Sequence, residues 1–94
     1  MAVPDLVQVD VGSVETLGEL HAVLREALGF PAFYGMNWDA FWDAVTGLVE
    51  MPHTLVFTGW TELDRRLPEA AASLQDCLAQ YGRTASSFTV TFGQ

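Results

Sequence analysis

Lysine is absent from this chain. Arginine, at positions 25, 65, 66 and 83, supplies all four bases against twelve acids, for a formal net charge of −8. Such a domain lacks the basic face needed to track a duplex or an RNA backbone, and an anionic membrane surface would repel it. Cysteine is almost missing too: Cys77 alone permits no internal disulfide and no thiolate zinc cluster. No stretch approaches the roughly 20 apolar residues of a membrane span. Met1–Asp5 holds no basic segment followed by an apolar run, so no export leader is expected and the reducing cytoplasm is the expected setting. Internal repeats, low-complexity tracts and long linkers are also lacking.

What is present suffices for one domain over residues 1–94. Half the residues are apolar and 17% are charged, which builds a core and excludes a disordered chain. The charge is uneven. Residues 1–47 hold seven acids and one Arg, a net of −6, while residues 48–94 hold five acids and three Arg, a net of −2. From Glu26 through Asp64 there are six acids and no Arg or Lys, and that window contains the densest aromatic run. A solvated face accounts for this on charge alone; the sharper reading is a negative patch that steers a basic partner.

The element order is strand, helix, helix, strand, helix, helix, strand. Leu6 to Val11 is rich in β-branched residues and predicts a strand. Thr16 to Glu19 forms a capping box ahead of Leu17, Leu20, Leu24, Ala27 and Leu28 at helical spacing, with Gly29 as the stop. Residues 29–36 form an aromatic loop. Asn37 is a suitable N-cap for a helix from Trp38 to Thr46 closed by Gly47. A strand from His53 to Phe57, a short helix from Thr61 to Leu67 and a longer one starting at Pro68 follow. The longer helix buries Ala71, Leu74, Leu78 and Tyr81 and ends at Gly82. Phe88 to Phe92 alternates strictly and is the last strand. Helical crossovers favour an α/β fold with a small three-stranded parallel sheet, packed on helices that lie mainly on one face. Strand order does not follow from the pattern.

The Trp38–Thr46 helix carries two faces. Trp38, Phe41, Trp42 and Val45 form an apolar stripe for the core, with Trp38 its most exposed member. Asp39, Asp43 and Thr46 fall on another face, left low and open by Ala40 and Ala44. In the first turn, Asp39 suits the helix dipole. Asp43 lies toward the C-terminal end, where the dipole opposes it, and repels Asp39 one turn away by roughly 0.2–0.5 kcal/mol. A residue that breaks local rules without compensation is a functional candidate; the bland alternative is a solvated accident. The pair could serve acid/base chemistry, yet His21 and His53 have no spacing tie to it. A hard-metal site with Glu50 would have few ligands. The third use is recognition, with the acidic helix entering a cationic cleft beside Phe33, Tyr34 and Trp38 as rigid anchors. Cys77 and His21 are expected to be packing residues, and Arg65 and Arg66 a solvated pair.

The run from Phe33 through Gly47, Phe-Tyr-Gly-Met-Asn-Trp-Asp-Ala-Phe-Trp-Asp-Ala-Val-Thr-Gly, resembles the signature segment of the barstar family, small intracellular inhibitors of extracellular bacterial ribonucleases. The likeness extends from about Val9 to Phe92 and includes Leu20-His21, Phe30-Pro31 and Val49-Glu50. The resemblance implies a three-stranded parallel sheet on helices. It also implies a loop and second helix that plug the active site of a basic-cleft, guanyl-type secreted ribonuclease in a 1:1 complex. On that likeness Asp43 stands for a substrate phosphate, while Asp39 and Glu50 are further acidic contacts. Phe33, Tyr34, Gly35, Asn37, Trp38, Trp42, Thr46 and Gly47 complete the partner-binding set. Phe33 replaces a tyrosine, Met36 an acid, Trp38 a leucine and Leu48 a tryptophan, and Asp76 has no clear register with an acidic contact on the last helix. No catalysis, cofactor or metal is implied, and the free protein is expected to be a monomer. The rival readings are an interaction module of the same fold for another basic protein, and a small carboxylate-dependent hydrolase.

Overall fold

The strands and helix caps expected from the sequence appear in a computed structural model, which describes residues 5–93. The leader expectation concerns a start that lies mostly outside the described residues. Strand β1 (Leu6–Asp10) leads through a tight loop to α1 (Leu17–Leu28). Thr16 caps α1 by accepting from the Glu19 N–H, and Glu19 reaches back to the Glu15 N–H rather than closing the box on Thr16. Gly29, at φ 73°, ends the helix in the left-handed conformation that glycine adopts without a Cβ penalty. Then come α2 (Trp38–Asp43), a π turn (Ala44–Leu48), β2 (Thr54–Thr58), α3 (Trp60–Arg66), α4 (Pro68–Thr84) and β3 (Thr89–Phe92).

All three strands are parallel, in the order β1-β2-β3, with Val7 opposite Leu55, Val9 opposite Phe57, Leu55 opposite Val90 and Phe57 opposite Phe92. Side chains alternate across a strand, so these residues share one face, and all of them join the core cluster. The opposite face carries Leu6, Gln8, Thr89 and Thr91, all exposed, and none of its residues enters the core. The helices thus cover one face, as expected. Leu20, Leu24, Phe41, Leu63, Leu74 and Leu78 share one core cluster with these sheet residues and are fully buried.

Several boundaries depart from the sequence reading. The strand expected from His53 begins at Thr54, and His53 is exposed and pairs with Asp5 at 3.3 Å. The fourth helix runs past Gly82 to Thr84; a glycine near a helix end does not stop it when the next residues still find i−4 acceptors, as Ala85 does at Tyr81. The loops after β1 and β2 touch backbone to backbone. A Cβ on Gly59 (φ 73°) would lie 2.5 Å from the Gly12 Cα, so both chains approach as only glycine permits.

Candidate functional site

The acidic segment starts from an aromatic footing. Phe30 and Tyr34 are buried, with ring centroids 4.8 Å apart. Phe30 meets Phe41 edge-on at 5.7 Å, and Phe41 meets Trp38 at 5.6 Å. His21, fully buried on α1, closes the cluster: its ring lies 4.5 Å from that of Trp38, and its Nδ1 is hydrogen-bonded to the Tyr34 hydroxyl at 2.6 Å. Burial holds the His21 pKa below its ordinary value and the Tyr34 pKa well above its own. Burial thus favours the neutral form of each group, and the two are bonded to one another. Tyr34, read from the sequence as a rigid anchor beside the acidic helix, is buried beneath the loop.

Entry into α2 is locally determined. Met36 takes a left-handed φ of 55°, turning the chain out of the loop. Asn37 then caps the helix: its Oδ1 accepts from the Ala40 N–H at 2.7 Å and its Nδ2 donates to the Gly35 carbonyl at 3.3 Å. One of the N–H groups that a helix leaves unpaired at its start is thereby satisfied, and the same side chain ties the loop to the helix. Gly35 has room for little else, since a Cβ there would come 3.3 Å from the Ala40 Cβ.

The regular α-helix ends at Asp43 rather than Thr46. Ala44 to Leu48 form a π turn, in which Val49 donates to the Ala44 carbonyl at 3.1 Å. Two expectations change with it. Thr46 does not extend the Asp39–Asp43 face in α register, and its hydroxyl turns inward to donate to the Trp42 carbonyl at 2.7 Å. Ala44 is fully buried, so it does not leave the acidic face open. The helical run also continues to Leu48, which places Asp43 in its middle and weakens the dipole opposition expected there.

Asp39 and Asp43 are both exposed. Among the described residues neither carboxylate has a hydrogen bond or an ion pair; the ion pairs present join His53 to Asp5 and Arg65 and Arg66 to Glu62. The two aspartates lie beside a groove of about 410 Å³, lined also by Trp38 and Trp42 of α2 and by Cys77 and Gln80 of α4. Trp42, expected in the core, is only half-buried and belongs to this groove. The far wall was missed by the sequence reading. Gln80, not Asp76, faces the acidic pair, and Cys77 lies close enough that Asp39, after burial and Asp76, adds to the upward shift of its thiol pKa. The helical periodicity of α4 was the available signal, but nothing fixed its rotation against α2.

The remaining expected site residues are exposed without lining this groove. Phe33 is 76% exposed in the loop, Gly47 lies on the π turn, and Glu50 follows it. A Cβ on Gly47 would meet nothing within 4 Å. No three His, Cys, Asp or Glu side chains among the described residues are grouped to share a metal ion, and no helix among them is long and apolar enough to cross a membrane.

Residues 5–93 match the family model described as Barstar (barnase inhibitor). The chain belongs to the barstar family. It is 46% identical over 48 residues to a Bacillus subtilis (strain 168) protein named "Putative ribonuclease inhibitor YrdF", a match covering 51% of this chain and 53% of that protein. The chain thus spans about half the length of this curated relative. The family resemblance noted on Phe33–Gly47 is borne out at the level of the whole fold.

Proposed function

We propose that the protein inhibits an extracellular bacterial ribonuclease of guanyl type by occluding its active site in a 1:1 complex. It acts as a stoichiometric binder and not as an enzyme, in the cytoplasm, on an enzyme that would otherwise reach the cell's own RNA. The observation that carries this reading is the pair of unpartnered, solvent-facing carboxylates of Asp39 and Asp43 on a helix held by the buried aromatic cluster.

The physical logic is substitution. A ribonuclease needs cationic and hydrogen-bonding groups to hold phosphate and to stabilise developing charge. Two carboxylates with Cβ atoms roughly 5–6 Å apart satisfy those groups and offer no scissile bond. Asp43 takes the place of the substrate phosphate, with Asp39 beside it and Glu50 further along. Phe33 contributes a stacking surface, and the half-buried faces of Trp38 and Trp42 exclude water around the charges, which strengthens them. Tyr34, Asn37 and Gly35 act by holding the loop, whereas Thr46 and Gly47 shape the turn that follows.

An inhibition titration against a panel of secreted bacterial ribonucleases, barnase among them, tests this reading. Loss of RNA hydrolysis should be complete at one equivalent for at least one enzyme. Asp43→Ala should weaken that inhibition by about 2–5 kcal/mol, the range for removing one partner of a buried charge pair. Barnase with barstar is itself the reference case for such coupling, so the magnitude is carried over from the family. A panel with no enzyme inhibited at equimolar protein would end the proposal.

A further inference from the structure

Beyond Trp38 the acidic groove does not end. A second hollow of about 470 Å³ adjoins it, lined by Leu17 at the start of α1, by Trp38, and by Leu67, Pro68, Ala70 and Ser73 around the start of α4. Trp38 lines both hollows. On the other wall, Ala70, Ser73, Cys77 and Gln80 follow one another at steps of three, four and three, so one face of α4 runs beneath both. The two form a single trough along α4, acidic at one end and apolar at the other. Leu17 accounts for much of the apolar end. It is 43% exposed in the first turn of α1 and lies outside the core cluster, so its apolar side chain is free to meet a partner.

We propose that the apolar end is the second half of the docking surface. It receives an aliphatic or aromatic side chain from the rim of the same ribonuclease's catalytic cleft, while Asp39 and Asp43 engage the cationic groups within. This inference rests on the ribonuclease-inhibitor reading above. Continuity with the acidic groove and charge both favour that occupant. Arg66 also lines the trough, but it donates to the Gly12 and Val14 carbonyls and pairs with Glu62. Glu69 on the same wall offsets its charge. The trough therefore offers no unopposed cation to repel a basic protein. A second copy of this chain would instead bring another net charge of −8 against it.

Two variants that leave the acidic pair intact test the idea. Leu17→Ala removes the exposed apolar wall, and Ser73→Arg fills the floor with a bulky cation. Each should raise the inhibition constant at least about tenfold against whichever ribonuclease the wild-type chain inhibits, the scale for losing one apolar side chain buried on binding. Leu6→Ser, on the uncovered sheet face, should leave it unchanged. Circular dichroism and a urea melt check folding, and Leu17→Ala at an exposed helix position decides the matter if Ser73→Arg does not fold. If Asp43→Ala abolishes inhibition while Leu17→Ala and Ser73→Arg match wild type, the trough is not part of the interface and the inhibitor reading stands. If no enzyme is inhibited by wild type, both fall. A concentration-dependent dimer in sedimentation that Leu17→Ala dissolves would assign the trough to self-association and overturn the inference.

Discussion

At the scale of single residues, Asp43 and His21 make opposite cases. Asp43 contributes nothing to the fold that its surroundings reveal: it is exposed, has no partner among the described residues, and sits one turn from another carboxylate. Replacing it with alanine removes a like-charge repulsion of roughly 0.2–0.5 kcal/mol and improves helix propensity. The free Asp43→Ala domain should therefore be as stable as wild type or more stable by up to about 1 kcal/mol in a urea melt. A destabilised variant would mean that the carboxylate serves the fold. His21, by contrast, is internal. Its Nδ1 is bonded to Tyr34, while its Nε2 is buried with no hydrogen-bond partner. Tyr34→Phe leaves the imidazole without its one partner and should cost about 1–3 kcal/mol. Burial lowers the folded-state pKa of His21, so the unfolded chain takes up the proton first. Stability is then fully present above the ordinary histidine value of 6.5 and is lost as pH falls from there toward the depressed folded value. Melts at a series of pH values between about 7 and 5 should show this decline. His21→Gln should flatten it.

At the scale of elements, the sequence was informative wherever a local rule had no competitor. The caps at Thr16 and Asn37, Pro68 in the first turn of α4 and the alternation of β3 all appear as expected. The π turn was not legible, because its i−5 hydrogen bond demands no special residue and Gly47 offered a plausible ordinary stop. The burial of Tyr34 was not legible for a related reason. A tyrosine in a Gly- and Pro-bearing loop looks like surface, and only the fold brings His21 beneath it. The acidic half of the site was therefore readable from α2 alone, whereas its Gln80 and Cys77 wall depended on how α4 packs. The Gly12–Gly59 contact was equally invisible, being a meeting of two loops 47 positions apart. Gly59→Ala places a methyl group within 2.6 Å of the Gly12 backbone nitrogen at a positive φ. It should destabilise the domain by more than the ~1 kcal/mol that ordinary Gly→Ala changes involve, read as a lower urea midpoint.

At the scale of the whole molecule, charge is the dominant property. A net charge of −8 without a single lysine costs some stability through self-repulsion and speeds encounter with a cationic partner. Asp39 and Asp43 on α2 and Glu50 just after the π turn have no ion pair among the described residues, whereas Glu62 is paired with Arg65 and Arg66, so unopposed negative charge lies where docking is proposed. Association rates measured by stopped flow should fall steeply as ionic strength rises from about 0.01 M to 0.15 M, where the screening length shrinks from ~30 to ~8 Å. A rate that stays flat over that range would show that steering plays no part. Dissociation, governed by the desolvated contacts, should change far less.

The bare face of the sheet has a practical corollary. Thr89 and Thr91 are exposed there and take no part in the core, and so lie away from the surface that α2 and α4 present. A chemical tether grafted at Thr91 would hold the molecule by its back, leaving every copy on a sensor chip with its acidic side turned to the liquid.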